Sequence, residues 1–147
     1  MKILNNLLIS IISLSFILLA FNACSQISSD FSNNENEKIA ENLAKEQLDA
    51  YNKGDIEAFL KPYSDDCEIF EHSTGKSLMK GKEAMRETYS KLFIKYPDLY
   101  CQIVSRMVLN NYVIDYENVR FSDSERVKAI AIYEIKDNQI KKVWFIK

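Results

Sequence analysis

Apolar residues recur every three to four positions at Ile39, Ala40, Leu43, Ala44, Leu48 and Tyr51. This is the pattern of an amphipathic helix with one buried stripe. It predicts a helix over about Glu35 to Asn52, capped by Asn33 or Asn34, with Gln47 inside the stripe and Gly54 ending it. Asp55 then caps a short helix, Ile56 to Lys61, which Pro62 stops. The run Cys67-Glu68-Ile69-Phe70-Glu71-His72 alternates as a strand does, and Ser73 to Lys76 forms a turn. Gly81 precedes a third helix, Lys82 to Tyr96, whose apolar side carries Met85, Tyr89, Leu92, Phe93 and Tyr96. After Pro97-Asp98 the period changes to two. Leu99–Leu109 and Tyr112–Phe121 read as strands joined by Asn110-Asn111, and Arg126–Ile135 and Ile140–Ile146 as strands joined by Lys136 to Gln139. Helices first and a strand meander last give an α+β domain, with three N-terminal helices packed on one face of a curved antiparallel sheet. The chain shows neither an internal repeat nor a second domain.

A two-residue loop at Asn110-Asn111 fixes a register. Leu109 then faces Tyr112, Met107 faces Ile114 and Ser105 faces Tyr116, and this side is expected to form a core or pocket. The other side pairs Arg106 with Asp115, places Glu117 diagonally, and carries Val104, Val108, Val113 and Val119. Its charges read as a surface or dimer-interface ion cluster, a catalytic role for the acids being the alternative. In the last hairpin Ala129, Ala131 and Tyr133 are expected to share a side with Trp144 and Ile146. Small residues opposite a large one either leave room for a ligand or simply fit the indole. Lys128, Ile130, Ile132 and Glu134 fall on the opposite side.

Ahead of this domain the pattern is different in kind. Lys2 precedes an apolar run from Ile3 to Ala23, and a polar stretch rich in Ser, Asn and Glu runs from Ser25 to Glu37. This reads as a secretory signal over 1–23, a tether over 24–36 and a folded domain over 37–147. The segment Leu19-Ala20-Phe21-Asn22-Ala23-Cys24 resembles a bacterial lipoprotein signal, with Ala23 as the small residue before the cysteine. That resemblance implies lipidation of Cys24 and anchoring in the cell envelope, on the outer membrane of a two-membrane cell because Ser25 follows. A secreted protein and an uncleaved anchor are the alternatives.

Composition narrows the chemistry. Of 147 residues, 21 are acidic and 19 are Lys or Arg, for a net charge of −2, which gives nucleic acid no reason to bind. One histidine and three cysteines leave little material for a metal site. The phosphate-cradling glycine pattern of a nucleotide cofactor is absent, and no cofactor is expected. With Cys24 set aside, Cys67 and Cys101 remain, both in apolar strand patterns. They read as two buried thiols, a disulfide being the alternative.

Four stretches resemble the nuclear transport factor 2-like superfamily, which includes ketosteroid isomerases and SnoaL-like polyketide cyclases. They are Ala50 to Asp55 with Phe59, Tyr63 to Cys67, Gly81 to Met85, and Ala131 to Ile135 leading to Trp144-Phe145. The resemblance implies a cystatin-like roll with a cavity at its mouth, and homodimers through the sheet. It implies a ligand pocket built from Gln47, Tyr51, Ile69, Tyr89, Phe93, Ser105, Met107, Ile114 and Tyr116. The isomerases' general base, which follows an Asp-Asp pair, corresponds to Glu71. Their oxyanion tyrosine corresponds to Gln47, and their protonated aspartate falls near Lys128, with no acid before Glu134. Tyr116 stands where many relatives carry a histidine, and His72 neighbours Glu71 but points to the other side of the strand. The expected function is an envelope-anchored, non-catalytic pocket for a small apolar or amphipathic molecule. The alternatives are an isomerase, cyclase or hydratase with Glu71 as base, or a structural dimerisation module.

Overall fold

The computed structural model describes residues 34–147. The expected export segment and Cys24 lie outside the described residues. Residues Asn36–Lys147 form one compact unit. Among the described residues no helix is long and apolar enough to cross a membrane.

Helix α1 covers residues 34–51, α2 Ile56–Leu60 and α3 Gly81–Lys95. The strands are β1 Tyr63–Glu71, β2 Ser77–Lys80, β3 Tyr100–Leu109, β4 Tyr112–Arg120, β5 Arg126–Lys136 and β6 Gln139–Ile146. They form one sheet in the order β2-β1-β6-β5-β4-β3. All neighbours are antiparallel except β1 and β6, which pair in parallel. The sheet is therefore mixed, where the sequence pattern predicts a purely antiparallel one. Strand β1 also begins four residues earlier than expected, and β2 had no expected counterpart. Its four edge residues, Ser-Leu-Met-Lys, are exposed except for the half-buried Met79, too short a run to show an alternation.

The local causes are those the chain advertises. Asp55 accepts a hydrogen bond from the Ala58 N–H at the start of α2. Asn110, Asp137 and Asn138 take positive φ in the two hairpin loops, as Asn and Asp tolerate. Gly81 opens α3 at φ +81°, where a Cβ would stand 3.2 Å from the Asp65 carbonyl oxygen, so only glycine lets the helix start this close to β1. The Asn52 side chain clamps the end of α1 to β3, donating to the Cys101 carbonyl at 2.9 Å and accepting from its N–H at 2.7 Å.

The β3–β4 register is as expected, with Leu109 opposite Tyr112, Met107 opposite Ile114, Ser105 opposite Tyr116 and Arg106 opposite Asp115. The faces are the reverse of the expectation. Val113, Asp115, Glu117 and Val119 point into the domain and are buried. Ser105, Met107 and Leu109 point outward, Met107 and Leu109 at 63% and 67% exposure, with Ile114 and Tyr116 half-buried beside them. An extra residue, Val104, bulges out of β3 between Ile103 and Ser105 and is itself exposed. A bulge shifts the alternation by one, so Val104 leaves the face of Val108 and Val113. A second irregularity between Glu134 and Ile135 leaves Lys141 unpaired in β6. It moves Val143 and Phe145 opposite Tyr133 and Ala131, and turns Trp144 outward opposite Ile132, against expectation. The inward faces of β1, β4, β5 and β6 pack with α1, α2 and Met85 of α3 into the main core.

Candidate functional site

Between the helices and the inward sheet face lies an open cavity of about 370 Å³. That is within the range of roughly 300–1,000 Å³ typical of small-molecule sites. Helix α1 supplies Gln47, Leu48 and Tyr51, and α3 supplies Thr88, Tyr89 and Leu92. Strands β4 and β5 supply Glu117, Ala129 and Tyr133. Phe59, Tyr63 and Phe145 complete an aromatic wall. Tyr51, Phe59, Tyr63, Tyr89 and Phe93 pack ring against ring with centroids 4.6–6.2 Å apart.

One end of the cavity is polar, and its hydrogen bonds have a fixed direction. Gln47 Nε2 donates to the Ala44 carbonyl at 3.1 Å. That carbonyl can only accept, which sets the orientation of the amide. Gln47 Oε1 must then accept, and Tyr63 Oη donates to it at 3.2 Å. Gln47 Nε2 also donates to Tyr133 Oη at 3.1 Å, and Tyr133 passes its own hydrogen to Glu117 Oε1 at 3.3 Å. Burial holds the Tyr63 and Tyr133 phenols well above their ordinary pKa, so each keeps its hydrogen.

Glu117, 6% exposed, ends the relay. Burial first, then the charge of Asp115, raises its pKa to about 7, against the opposing pull of the Tyr133 hydrogen bond, Arg106 and Lys147. Asp115 itself is fully buried and paired: Arg106 Nε and Nη2 each reach one of its carboxylate oxygens at 2.7 Å. The ion cluster expected on a surface or interface thus sits inside the domain, with Glu117 at the cavity wall.

The expected site residues divide. Gln47, Tyr51 and Tyr89 line the cavity. Ile69 is sealed in the core and Phe93 packs against it, neither reaching the cavity lining. Ser105, Met107, Ile114 and Tyr116 lie on the outer sheet face, away from the cavity, because the faces are reversed. Glu71 is also displaced from the role the resemblance implied. It is the exposed last residue of β1, accepts from Thr74 Oγ1 at 2.6 Å, and does not line the cavity. His72 follows it, exposed, in the turn. Cys67 and Cys101 are free and buried, and burial raises both thiols far above neutrality. Among the described residues no group of His, Cys, Asp and Glu is arranged to hold a metal ion.

With fold and cavity in place, kinship can be assigned. The family model for the SnoaL-like domain matches residues 44–143, and the chain belongs to that family. Solved structures of the nuclear transport factor 2-like and cystatin-fold type share its architecture. A cystatin-fold protein from Novosphingobium aromaticivorans is 23% identical with a TM-score of 0.68, over 74% of this chain and 97% of its own. A SnoaL-like protein of unknown function from Burkholderia thailandensis is 18% identical with a TM-score of 0.64, over 75% and 94%. A nuclear transport factor 2-like protein of unknown function from Cytophaga hutchinsonii is 13% identical with a TM-score of 0.61, over 73% and 88%. No curated protein matches the chain.

Proposed function

We propose that the domain binds one small, largely apolar molecule in the cavity between α1, α3 and the sheet, with a polar group of that molecule seated at Glu117. The observation that carries this reading is the combination of an open aromatic cavity with a buried carboxyl that the protein satisfies only in part. Among the described residues nothing donates to Glu117 Oε2, while Oε1 is held by Tyr133. A core residue would have both oxygens met or be absent. Ala129 stands directly opposite Glu117 on β5 and lines the same space. Ala129→Phe therefore fills the cavity from its wall. Uptake of the neutral fluorophore 1-N-phenylnaphthylamine is expected to weaken at least tenfold in this variant, with its circular dichroism unchanged. Equal uptake by both proteins refutes the reading.

The proposal includes a location and an assembly. The export pattern and Cys24 support an exported, lipid-anchored protein. The outer sheet face, with Met107, Leu109, Tyr112 and Ile146 exposed, supports a second copy packed over it. Labelled palmitate incorporated by the wild type and lost in Cys24→Ser, and a dimer in sedimentation, are the expected results. An unlabelled wild-type chain or a monomer refutes the corresponding half.

A further inference from the structure

We propose that the molecule held in this cavity is an organic cation, an amine protonated on nitrogen, with the Glu117 carboxylate as its counter-ion. The inference rests on the cavity being a binding site, and it adds the class of ligand.

Three independent features point the same way. The first is the direction of the relay. Starting from Ala44, every hydrogen in the network is already committed: two from Gln47, one from Tyr63 and one from Tyr133. Above pH 7, where Glu117 is ionised, the relay ends on an acceptor, and no hydrogen of the relay is left for Oε2. To the ionised carboxylate a ligand carbonyl or carboxylate would bring a second acceptor, whereas an N–H meets Oε2.

The second is the count of charges. Two carboxylates, Asp115 and Glu117, are buried side by side, and the guanidinium beside them, Arg106, is taken up bidentately by Asp115. Of the cavity-lining residues only Lys147 is basic, and it is exposed at the rim. A buried carboxylate without a partner is costly. A cationic guest supplies the missing charge where the described cavity wall offers only the exposed Lys147.

The third is the wall. Tyr51 and Tyr89, half-buried and in edge-to-face contact, border the cavity with Phe59 and Tyr63 packed behind them. Ring faces attract an ammonium group, most strongly where water is excluded.

Titration calorimetry of the full-length chain at pH 8, with two probes of nearly the same shape, tests the proposal. N,N-dimethylbenzylamine is protonated there. The alcohol 2-methyl-1-phenyl-2-propanol is neutral yet can still donate one hydrogen bond to Oε2. The amine is expected to bind at least tenfold more tightly than the alcohol, and Glu117→Gln is expected to abolish that preference by weakening the amine at least tenfold. An alcohol that binds as well as the amine overturns the proposal and leaves the cavity's binding role standing. The proposal is overturned in the same way if neither probe binds while 1-N-phenylnaphthylamine is taken up. If neither probe nor fluorophore enters, this inference and the binding role fall together.

Discussion

Glu117→Gln is expected to stabilise the protein, and by an amount that depends on pH. Burial and the neighbouring Asp115 raise the Glu117 carboxyl from its ordinary 4.5 to about 7. The native state therefore holds this proton more tightly than the unfolded chain does. Below pH 4.5 both states are protonated and the residue imposes no penalty. Between pH 4.5 and 7 the unfolded state loses the proton first, so stability falls as pH rises, and it levels off above pH 7. A shift of this size corresponds to about 3 kcal/mol. Glutamine keeps the shape, still accepts from Tyr133, and carries no charge. Urea denaturation of the two proteins should thus coincide near pH 4.5 and separate to about 3 kcal/mol above pH 8, the variant being the more stable. All other titrations cancel in the difference. A difference that does not vary with pH would show that Glu117 is not a strained buried acid. A residue whose ionisation destabilises the fold is a poor choice for structure alone, and that gives the cavity reading its weight.

How far this could be read from the sequence depends on which step of the physics is asked. Helix α1 and the four strands of the meander were legible because their periods run for eight residues or more. The Asn110-Asn111 loop also fixed the partner of each residue along β3 and β4. The face that turns inward was not legible. Both sides of β4 are rich in β-branched or aromatic residues, so alternation alone does not choose between Ile114-Tyr116 and Val113-Asp115-Glu117-Val119. The general preference for charges outside chooses wrongly here. Bulges at Val104 and Lys141 reverse parity with no residue that announces them. One signal was nonetheless present. Ala129, Ala131 and Tyr133 were already recognisable as one face, whose small residues either leave room for a ligand or fit the indole. The loop over 121–125 pairs Glu117 with Ala129 and Asp115 with Ala131, which puts the acids on that same face. Gln47, a polar residue in the buried stripe of α1, needed a buried partner, and Tyr133 on that face is one of its partners. Glu71 misled because its place was inferred from distance along the chain after Asp65-Asp66. Strand β1 pairs with β6 up to Glu71 and ends there, at the solvent.

Arg106→Met is expected to destabilise the domain by about 3–5 kcal/mol. Asp115 has no exposure and takes both of its bonds to Arg106 at 2.7 Å. Removing the guanidinium leaves a carboxylate in the interior beside a second acid that already resists ionisation. The attraction within the pair is not what the loss measures, because much of that attraction only offsets desolvation. The measure of this is the double variant Arg106→Met, Asp115→Leu. It removes both charges, fills the same space with apolar groups, and should recover most of the lost stability in urea denaturation. A single variant within 1 kcal/mol of wild type, or a double variant no better than the single, would refute the account. The double variant also separates architecture from recognition. Asp115 raises the Glu117 pKa and Arg106 opposes that rise, so deleting both takes away opposing influences and leaves Glu117 and its Tyr133 bond in place. Preference for the amine should therefore survive in the double variant and vanish in Glu117→Gln. That pattern would assign the Arg106–Asp115 pair to holding β3 against β4, and Glu117 to the guest.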